Sequence, residues 1–143
     1  RKIEKVAVLG SGVMGSRIAC HFANIGVEVL LLDIIPTEPN AKEAAKGLTT
    51  DYPIVRNRIV NDALKFALKS NPSPIYKKSF ASRITTGNFT DDMSKIATVD
   101  WIIEVVTEKL NIKQIVFEQI EKHRTNGTLI TSNTSSGKAV GKA

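Results

Sequence analysis

The fold of this chain can be predicted from residues 5–33, KVAVLGSGVMGSRIACHFANIGVEVLLLD. This stretch begins with an apolar segment typical of a β-strand, turns at GSGVMG, residues 10–15, and continues with a helical hydrophobic period from Val13. Gly26 is expected to end this helix as a left-handed cap. The apolar residues 27–32 then predict a second strand that is buried on both faces.

The turn carries the pattern G-x-G-x-x-G, in which each glycine has a physical reason. Gly10 permits the tight turn, Gly12 leaves room for a pyrophosphate at the backbone, and Gly15 lets the helix pack closely against the strand. The pyrophosphate of a dinucleotide then binds free N–H groups at the helix N-terminus. The glycine turn predicted to bind phosphate comprises Gly10, Ser11, Gly12, Val13, Met14 and Gly15.

Asp33 lies 18 residues beyond Gly15, at the end of the second predicted strand. A carboxylate at this place accepts hydrogen bonds from the hydroxyl groups of the adenosine ribose, and it repels the 2′-phosphate of NADP. The spacing therefore predicts NAD as the cofactor. A glycine-rich turn without any ligand is the alternative that these residues leave open.

After the second strand, residues 41–70 predict a helical excursion in two pieces. Asn40 is expected to cap the first piece, Gly47 weakens the middle, and Pro53 suits the first turn of the second piece. Two hydrophobic stripes are expected to be buried. The stripe on the first helix of the chain consists of Met14, Ile18, Phe22 and Ile25. The stripe on the excursion is wide and consists of Val55, Ile59, Ala63 and Phe66, with Val60, Leu64 and Leu68 beside them.

The remaining chain alternates further strands and helices. Three strands are expected at residues 83–86, 100–106 and 128–132, with a short helix at residues 91–97. A longer helix is expected to begin with a capping box formed by Asn111 and Gln114. The sequence therefore predicts an α/β fold: a Rossmann-type, doubly wound, mainly parallel sheet with a helical excursion after the second strand.

The positive charge of the chain is concentrated in one third of its length. The net charge is +6, and residues 42–83 hold nine basic and three acidic side chains, so this segment accounts for the whole excess. Nucleic acid, a phosphorylated small molecule or an anionic surface would match such a positive field. A solvated helical face with spare lysines explains the charge equally well.

The cysteine and histidine content and the hydropathy of the chain further limit the classes of protein to which it can belong. The only cysteine, Cys20, excludes an intramolecular disulfide and permits a reducing compartment such as the cytoplasm. With one cysteine and two histidines, a metal site is not expected. His21 is interpreted as a partly buried packing residue and His123 as a residue at a helix C-terminus. No apolar run approaches the ~18 residues of a membrane span.

Four segments occur in an order that resembles the NAD-binding domain of the L-3-hydroxyacyl-CoA dehydrogenase family, the enzymes of fatty-acid β-oxidation. They are GSGVMGSRIA at residues 10–19, Asp33, VVTEKLNIK at residues 105–113 and SNTSS at residues 132–136. The glycine motif is shared with many dehydrogenases, whereas an E-x-L-x-x-K segment followed by S-N-T-S is much more specific. The resemblance covers residues 3–136.

The resemblance implies roles for individual residues. The glycine turn and Asp33 would bind the adenosine diphosphate half of NAD. Glu108 and Lys113 would lie near the nicotinamide half, and Asn133 would help to shape the same pocket. Ser135 would lie beside the nicotinamide and contact the 3-hydroxyl group of the substrate. The alternative for Glu108 and Lys113 is an ion pair at a helix start.

The same resemblance implies a role for the helical excursion, because the corresponding helices of the family contact the coenzyme A of the substrate. Coenzyme A carries a 3′-phosphate and a pyrophosphate, which match the positive charge of residues 42–83. Lys65 and Lys69 are the candidate side chains for this contact. The implied partner is therefore an acyl-CoA substrate and not a nucleic acid.

The family transfers a hydride from C3 of the substrate to NAD, with a histidine as general base and a glutamate that orients it. The resemblance places both beyond the S-N-T-S segment, so the chain by itself is expected to turn over essentially no substrate. Residues 1–136 are expected to form the NAD-binding domain, and residues 137–143 a tail of separate origin. The helical C-terminal domain, through which the family forms homodimers, is expected to lie outside this sequence.

Three other functions compete with oxidation of a 3-hydroxyacyl-CoA. An NAD-dependent dehydrogenase of a free hydroxy acid or sugar acid would not need the basic excursion, so binding of coenzyme A separates these two functions. A non-catalytic NAD-binding module would not need the S-N-T-S segment. A nucleic-acid-binding protein is disfavoured, because few aromatic side chains are interleaved with the basic residues.

Overall fold

A computed structural model of the chain describes residues 2–106 and 110–132. The strands are β1 (Lys5–Leu9), β2 (Glu28–Asp33), β3 (Ile84–Asn88), β4 (Trp101–Glu104) and β5 (Leu129–Ser132). The helices are α1 (Val13–Asn24), α2 (Ala41–Ala45), α3 (Pro53–Arg56), α4 (Arg58–Lys69) and α5 (Leu110–His123), with 3₁₀ segments at Lys78–Arg83 and Met93–Thr98. In this part of the chain, no helix combines the length and the hydropathy needed to cross a membrane.

The described strands form one parallel sheet in the order β3-β2-β1-β4-β5. The chain runs outward from β1 to β3 and then crosses back to β4 and β5 on the other side. The carboxyl ends are aligned, since Leu9 pairs with both Leu32 and Glu104, and Glu104 pairs with Ser132. The predicted doubly wound sheet is confirmed, and its order reverses between β1 and β4, where such sheets have their ligand crevice.

Both faces of the sheet are covered, which explains why its inner strands are apolar between their first and last residues. Val6 and Val8 of β1 belong to a core cluster that includes α1, whereas Ala7 and Leu9 belong to a cluster that includes α5. Cys20 lies in the first cluster as a free thiol, and burial raises its pKa. The expectation that Cys20 is a small core residue is therefore confirmed.

Helix α1 packs on the sheet mainly through small residues. Its buried positions are Gly15, Ser16, Ala19, Cys20 and Ala23. Ile18 and Phe22 of the predicted stripe are partly buried and pack against the same core, whereas Met14 and Ile25 are 46% and 61% exposed, so the prediction was wrong for these two residues. Small side chains let the helix approach the sheet closely, and the larger side chains are left at the rim.

The excursion begins as the sequence predicts and then divides once more. The Asn40 side chain accepts a hydrogen bond from the Glu43 amide at 2.8 Å, and the Asn40 amide donates one to Glu43 Oε1 at 2.8 Å. Gly47 has a φ of +75° beyond α2, and Pro53 begins α3. A second break at Asn57 separates α3 from α4 and was not predicted.

Two other predictions about helices were wrong. Phe66 is 74% exposed, whereas Val60 and Ala67 are the residues that α4 buries. The prediction was therefore wrong for Phe66 but holds for Val60, and Leu64 and Leu68 of the predicted stripe also pack against the core. Asn111 is a residue of helix α5, which spans Leu110–His123, so it does not hold the predicted position before the first turn.

Three arginines of the basic segment fasten the excursion to the rest of the domain. Arg56 Nε lies 2.8 Å from Asp91 Oδ2, and hydrogen bonding to this guanidinium lowers the pKa of Asp91 to about 2. Arg58 Nε lies 3.0 Å from Glu43 Oε2. Arg83 donates a hydrogen bond to a backbone carbonyl oxygen of α1. Since these arginines serve the fold, the lysines of the segment are the basic side chains available to a ligand.

Gly15→Ala is expected to destabilise the fold, because an added Cβ would lie 1.8 Å from the Gly10 carbonyl oxygen. We expect the free energy of unfolding, measured by urea denaturation, to fall by ~2 kcal/mol or more. Gly12→Ala is the matched control: its added Cβ would have no atom within 4 Å, so we expect a loss below ~1 kcal/mol. Equal losses in the two variants would contradict the close packing of α1 on the turn.

Candidate cofactor-binding site

The turn after β1 is shaped by close backbone contacts at Gly10. Its φ is +112°, a conformation that favours glycine, and its amide donates a hydrogen bond to the Leu32 carbonyl oxygen at 2.8 Å. An added Cβ would lie 2.9 Å from the Val105 carbonyl oxygen. Gly10 is therefore held between the carboxyl ends of β2 and β4, and the turn directs the chain into α1.

Gly12 differs from Gly10 because the protein leaves its side open. It precedes α1 with a φ of −59°, and an added Cβ would have no atom within 4 Å. Among the described residues no side chain caps this helix, and its first turn holds no acidic residue. The first amides of a helix have no acceptor within the helix and attract an anion. The open space and these amides together fit a phosphate group.

Asp33 lies half-buried at the carboxyl end of β2, beside the glycine turn. Its Oδ2 accepts hydrogen bonds from the amide and the hydroxyl of Ser11, at 2.8 and 2.5 Å. Its Oδ1 accepts one from the Ile34 amide at 2.7 Å, and so keeps a lone pair for a ligand hydroxyl group. The Ser11 hydroxyl orients this carboxylate, a contact that the sequence did not predict.

A buried ionic cluster lies at the carboxyl ends of β4 and β5. Glu104 is fully buried, and its Oε1 accepts a hydrogen bond from the Ser132 hydroxyl at 2.6 Å. Lys113 Nζ lies 3.7 Å from Glu104 Oε1 and has no hydrogen-bond partner within residues 2–106 and 110–132. Lys113 was predicted from the sequence, whereas no role was predicted for Glu104 or Ser132. The available signal was a carboxylate at the end of the apolar strand WIIE.

The remaining predicted residues of the cofactor site divide into two groups. Val13 and Met14 are exposed at the start of α1 and line an apolar groove together with His21 and Trp101. His21 is exposed, so its interpretation as a partly buried packing residue was wrong. The other group consists of Glu108, Asn133 and Ser135, which lie outside the described residues. The predicted tail at residues 137–143 also lies outside them.

Lys65 and Lys69 lie one turn apart on α4, and both are exposed. Lys65 lines a concave surface together with Lys42 and Lys46, and we call these three residues the lysine surface. Lys69 does not line this concavity. Three exposed ammonium groups on one concave surface fit an anion that carries several phosphates.

The carboxyl-end edge of the sheet offers three kinds of contact in the order of its strands. Asp33 on β2 accepts hydrogen bonds from hydroxyl groups, and the start of α1 beyond β1 attracts a phosphate. Lys113 beside β4 and β5 offers N–H donors to an oxygen acceptor. A ligand with a sugar, phosphates and a further polar group in line matches this order, as a dinucleotide does.

Comparison with known proteins identifies the family. The family model for the 3-hydroxyacyl-CoA dehydrogenase, NAD binding domain, matches residues 5–140. The Bacillus subtilis protein named "Probable 3-hydroxyacyl-CoA dehydrogenase" is 50% identical over 135 residues, and the mitochondrial hydroxyacyl-coenzyme A dehydrogenase of Sus scrofa is 30% identical over 134 residues. Both matches cover 94% of this chain, but 17% and 40% of those two proteins.

Solved structures are similar to this chain over the same extent. The (S)-3-hydroxybutyryl-CoA dehydrogenase from Ralstonia eutropha is 25% identical with a TM-score of 0.59, covering 94% of this chain and 42% of that one. The 3-hydroxybutyryl-CoA dehydrogenase from Escherichia coli K12 is 27% identical with a TM-score of 0.58, covering 94% and 25%. This chain spans less than half the length of each of these four relatives. It belongs to the family of NAD-binding domains of 3-hydroxyacyl-CoA dehydrogenase.

Proposed function

We propose that this chain is the cofactor-binding part of an NAD-dependent oxidoreductase that oxidises L-3-hydroxyacyl-CoA to 3-oxoacyl-CoA, a step of fatty-acid β-oxidation. The observation that carries the proposal is the open backbone at Gly12, which lies at the helix start beside the fixed carboxylate of Asp33. Family membership gives NAD as the cofactor of the domain. The substrate and the reaction belong to the proposal.

Each part of NAD has a place along the carboxyl-end edge. The glycine turn binds the pyrophosphate at the start of α1, and Asp33 binds the adenosine ribose. Lys113 is assigned to the nicotinamide half, and the family resemblance assigns Glu108 and Asn133 to the same half. Ser135 contacts the 3-hydroxyl group of the substrate. The strand order supports this arrangement, because a cofactor that begins at β2 and crosses the turn after β1 next reaches β4 and β5.

The chemistry of the oxidation comes from NAD, which accepts the hydride. The chain contributes binding and orientation: Asp33 fixes one end of the cofactor, the amides of α1 fix its middle, and Lys113 donates to its other half. Holding a reactant at several points removes much of the entropic barrier to the reaction. Within residues 2–106 and 110–132 no side chain is assigned as the general base for the hydroxyl proton.

The acyl-CoA substrate is assigned to the excursion. The lysine surface would bind the phosphates of coenzyme A, with Lys69 extending it along α4. The proposal also includes a homodimer, formed through the helical C-terminal domain of the family. A reducing compartment such as the cytoplasm is proposed from Cys20, which is a free thiol.

The chain is expected to bind NAD at least ~10-fold more tightly than NADP, a difference of about 1.4 kcal/mol. The reason is that Asp33 repels the 2′-phosphate and offers it no donor. Asp33→Ala should narrow the difference, mainly by weakening NAD. Isothermal titration calorimetry measures the affinities for NAD and NADP. Equal affinities in the unaltered chain would show that Asp33 does not bind the adenosine ribose.

Gly12→Ala is the matched control for Asp33→Ala. Its added Cβ would enter the space proposed for the pyrophosphate, a group that NAD and NADP share. It should therefore weaken both cofactors by the same factor and leave the ratio of their affinities unchanged. If Gly12→Ala bound NAD as tightly as the unaltered chain, the open backbone at Gly12 would not be the phosphate site.

Coenzyme A is expected to bind the lysine surface, with an affinity that falls as the salt concentration rises. Lys65→Gln should weaken it roughly two- to fivefold, as expected for one exposed charge pair, and Lys69→Gln should have a smaller effect. Dephospho-coenzyme A should bind more weakly than coenzyme A. Lys122→Gln, which removes an exposed lysine of α5, is the control and should change nothing.

Amide chemical shifts during this titration decide whether the excursion binds coenzyme A. Shifts that map outside residues 42–83 would show that the positive charge there is only a solvated face. Absence of coenzyme A binding together with intact NAD binding would favour a dehydrogenase of a free hydroxy acid or sugar acid.

A further inference from the structure

The buried cluster at the end of β4 contains more charge than the fold requires. Glu104 is fully buried and Lys113 is 1% exposed, so a carboxylate and an ammonium group are both withdrawn from water. Burial of two charges costs several kilocalories per mole unless hydrogen bonds compensate each of them. An apolar pair of the same size would serve packing as well, which indicates that this pair has another use.

Glu104 is held in place without the help of Lys113. Its Oε2 accepts a hydrogen bond from the Val106 amide at 2.5 Å, and its Oε1 accepts one from the Ser132 hydroxyl at 2.6 Å. Backbone beyond β4 and a side chain of β5 therefore fix the carboxylate from two sides. The carboxylate is a rigid negative charge at the edge of the sheet.

Lys113 is held less completely than Glu104. Its Nζ lies 3.7 Å from Glu104 Oε1, which is too long for a hydrogen bond. Within residues 2–106 and 110–132 the ammonium group meets no acceptor at hydrogen-bond distance, although it carries three donors. A buried ammonium group that is paired in charge but has free donors is suited to an oxygen acceptor on a ligand.

We propose that Glu104 is a positioning residue for cofactor binding. Glu104 acts through Lys113. The Glu104 carboxylate, which Ser132 holds in place, compensates the charge of the Lys113 ammonium group and keeps the free N–H donors of that group directed at the carboxyl-end edge. There they bind an oxygen of the nicotinamide half of NAD. The inference rests on the proposed function, which assigns Lys113 to that half, and extends it to Glu104 and Ser132.

The competing explanation is a salt bridge that only joins β4 to α5. The two explanations predict that a substitution of Glu104 weakens the binding of different ligands. A positioning role concerns the nicotinamide half alone, whereas a structural role would distort the whole edge, including the turn that binds the adenosine diphosphate half. ADP-ribose carries the adenosine diphosphate half without nicotinamide, so it separates the two.

The test measures the affinities of NAD and ADP-ribose by calorimetry for the unaltered chain and for Glu104→Gln. We expect Glu104→Gln to weaken NAD about tenfold, as for a lost hydrogen bond to a charged group, and to change ADP-ribose less than ~2-fold. Glu43→Gln is the matched control, because it removes a buried carboxylate paired with Arg58 at 3.0 Å, far along the chain from β4. It should change neither affinity.

A double variant connects Glu104 to Lys113. Lys113→Met should weaken NAD selectively, and Glu104→Gln/Lys113→Met should be no weaker than Lys113→Met alone, since Glu104 acts through Lys113. Should Glu104→Gln fail to fold, Ser132→Ala provides the decisive measurement, because Ser132 is exposed and its change is small. That variant is expected to weaken NAD at least ~3-fold relative to ADP-ribose.

Equal weakening of NAD and ADP-ribose, or additive effects in the double variant, would overturn the positioning role and leave the proposed function intact. An unchanged NAD affinity in Glu104→Gln would also overturn the positioning role. If Glu104→Gln does not fold, an unchanged NAD affinity in Ser132→Ala would overturn it. Failure of the unaltered chain to bind either ligand would overturn the proposed function, and the positioning role with it.

Discussion

The contact on which the rest of this structure depends is the approach of helix α1 to the turn after β1. Gly15 packs so closely that a Cβ there would lie 1.8 Å from the Gly10 carbonyl oxygen, and a Cβ at Gly10 would lie 2.9 Å from the Val105 carbonyl oxygen. Backbone of the turn therefore meets backbone of α1 on one side and backbone just beyond β4 on the other, and the Val105 side chain also lies against Gly15. This contact holds the start of α1 where the strand order reverses, the place at which parallel sheets bind ligands.

The candidate site follows from this arrangement. Register aligns the ends of β1, β2, β4 and β5, so side chains distant in sequence share one edge of the sheet. Asp33 is tied to the glycine turn through Ser11, and Glu104 is tied to β5 through Ser132. The edge therefore combines an oriented carboxylate, open helix amides and a buried cation in one line. That line has the order of chemical groups in a dinucleotide, in agreement with the family to which the chain belongs.

The parts of the fold that could be predicted from the sequence are those set by local pattern. Apolar runs gave the strands, and the spacing of Gly10 and Gly15 gave the turn, because both depend on residues near each other in the chain. The buried face of α1 was predicted only in part, since a hydrophobic period does not reveal that small residues bring a helix closer to the sheet. Glu104 was missed because its partners lie on α5 and β5. The excursion arginines looked like ligand-binding charge, and their pairing with acidic residues appears only when the chain is folded.

Binding of a dinucleotide at the carboxyl-end edge of the sheet can be measured by titrating the chain with NAD and following the backbone amide chemical shifts. We predict saturable shifts that are largest at Gly12, Ile34 and Val106, which belong to the three contact regions of that edge. The opposite edge of the sheet provides the contrast, because a cavity there is lined by Lys5, Glu28 and Thr98. Shifts concentrated at that cavity, or no saturable shifts at the glycine turn, would contradict the account.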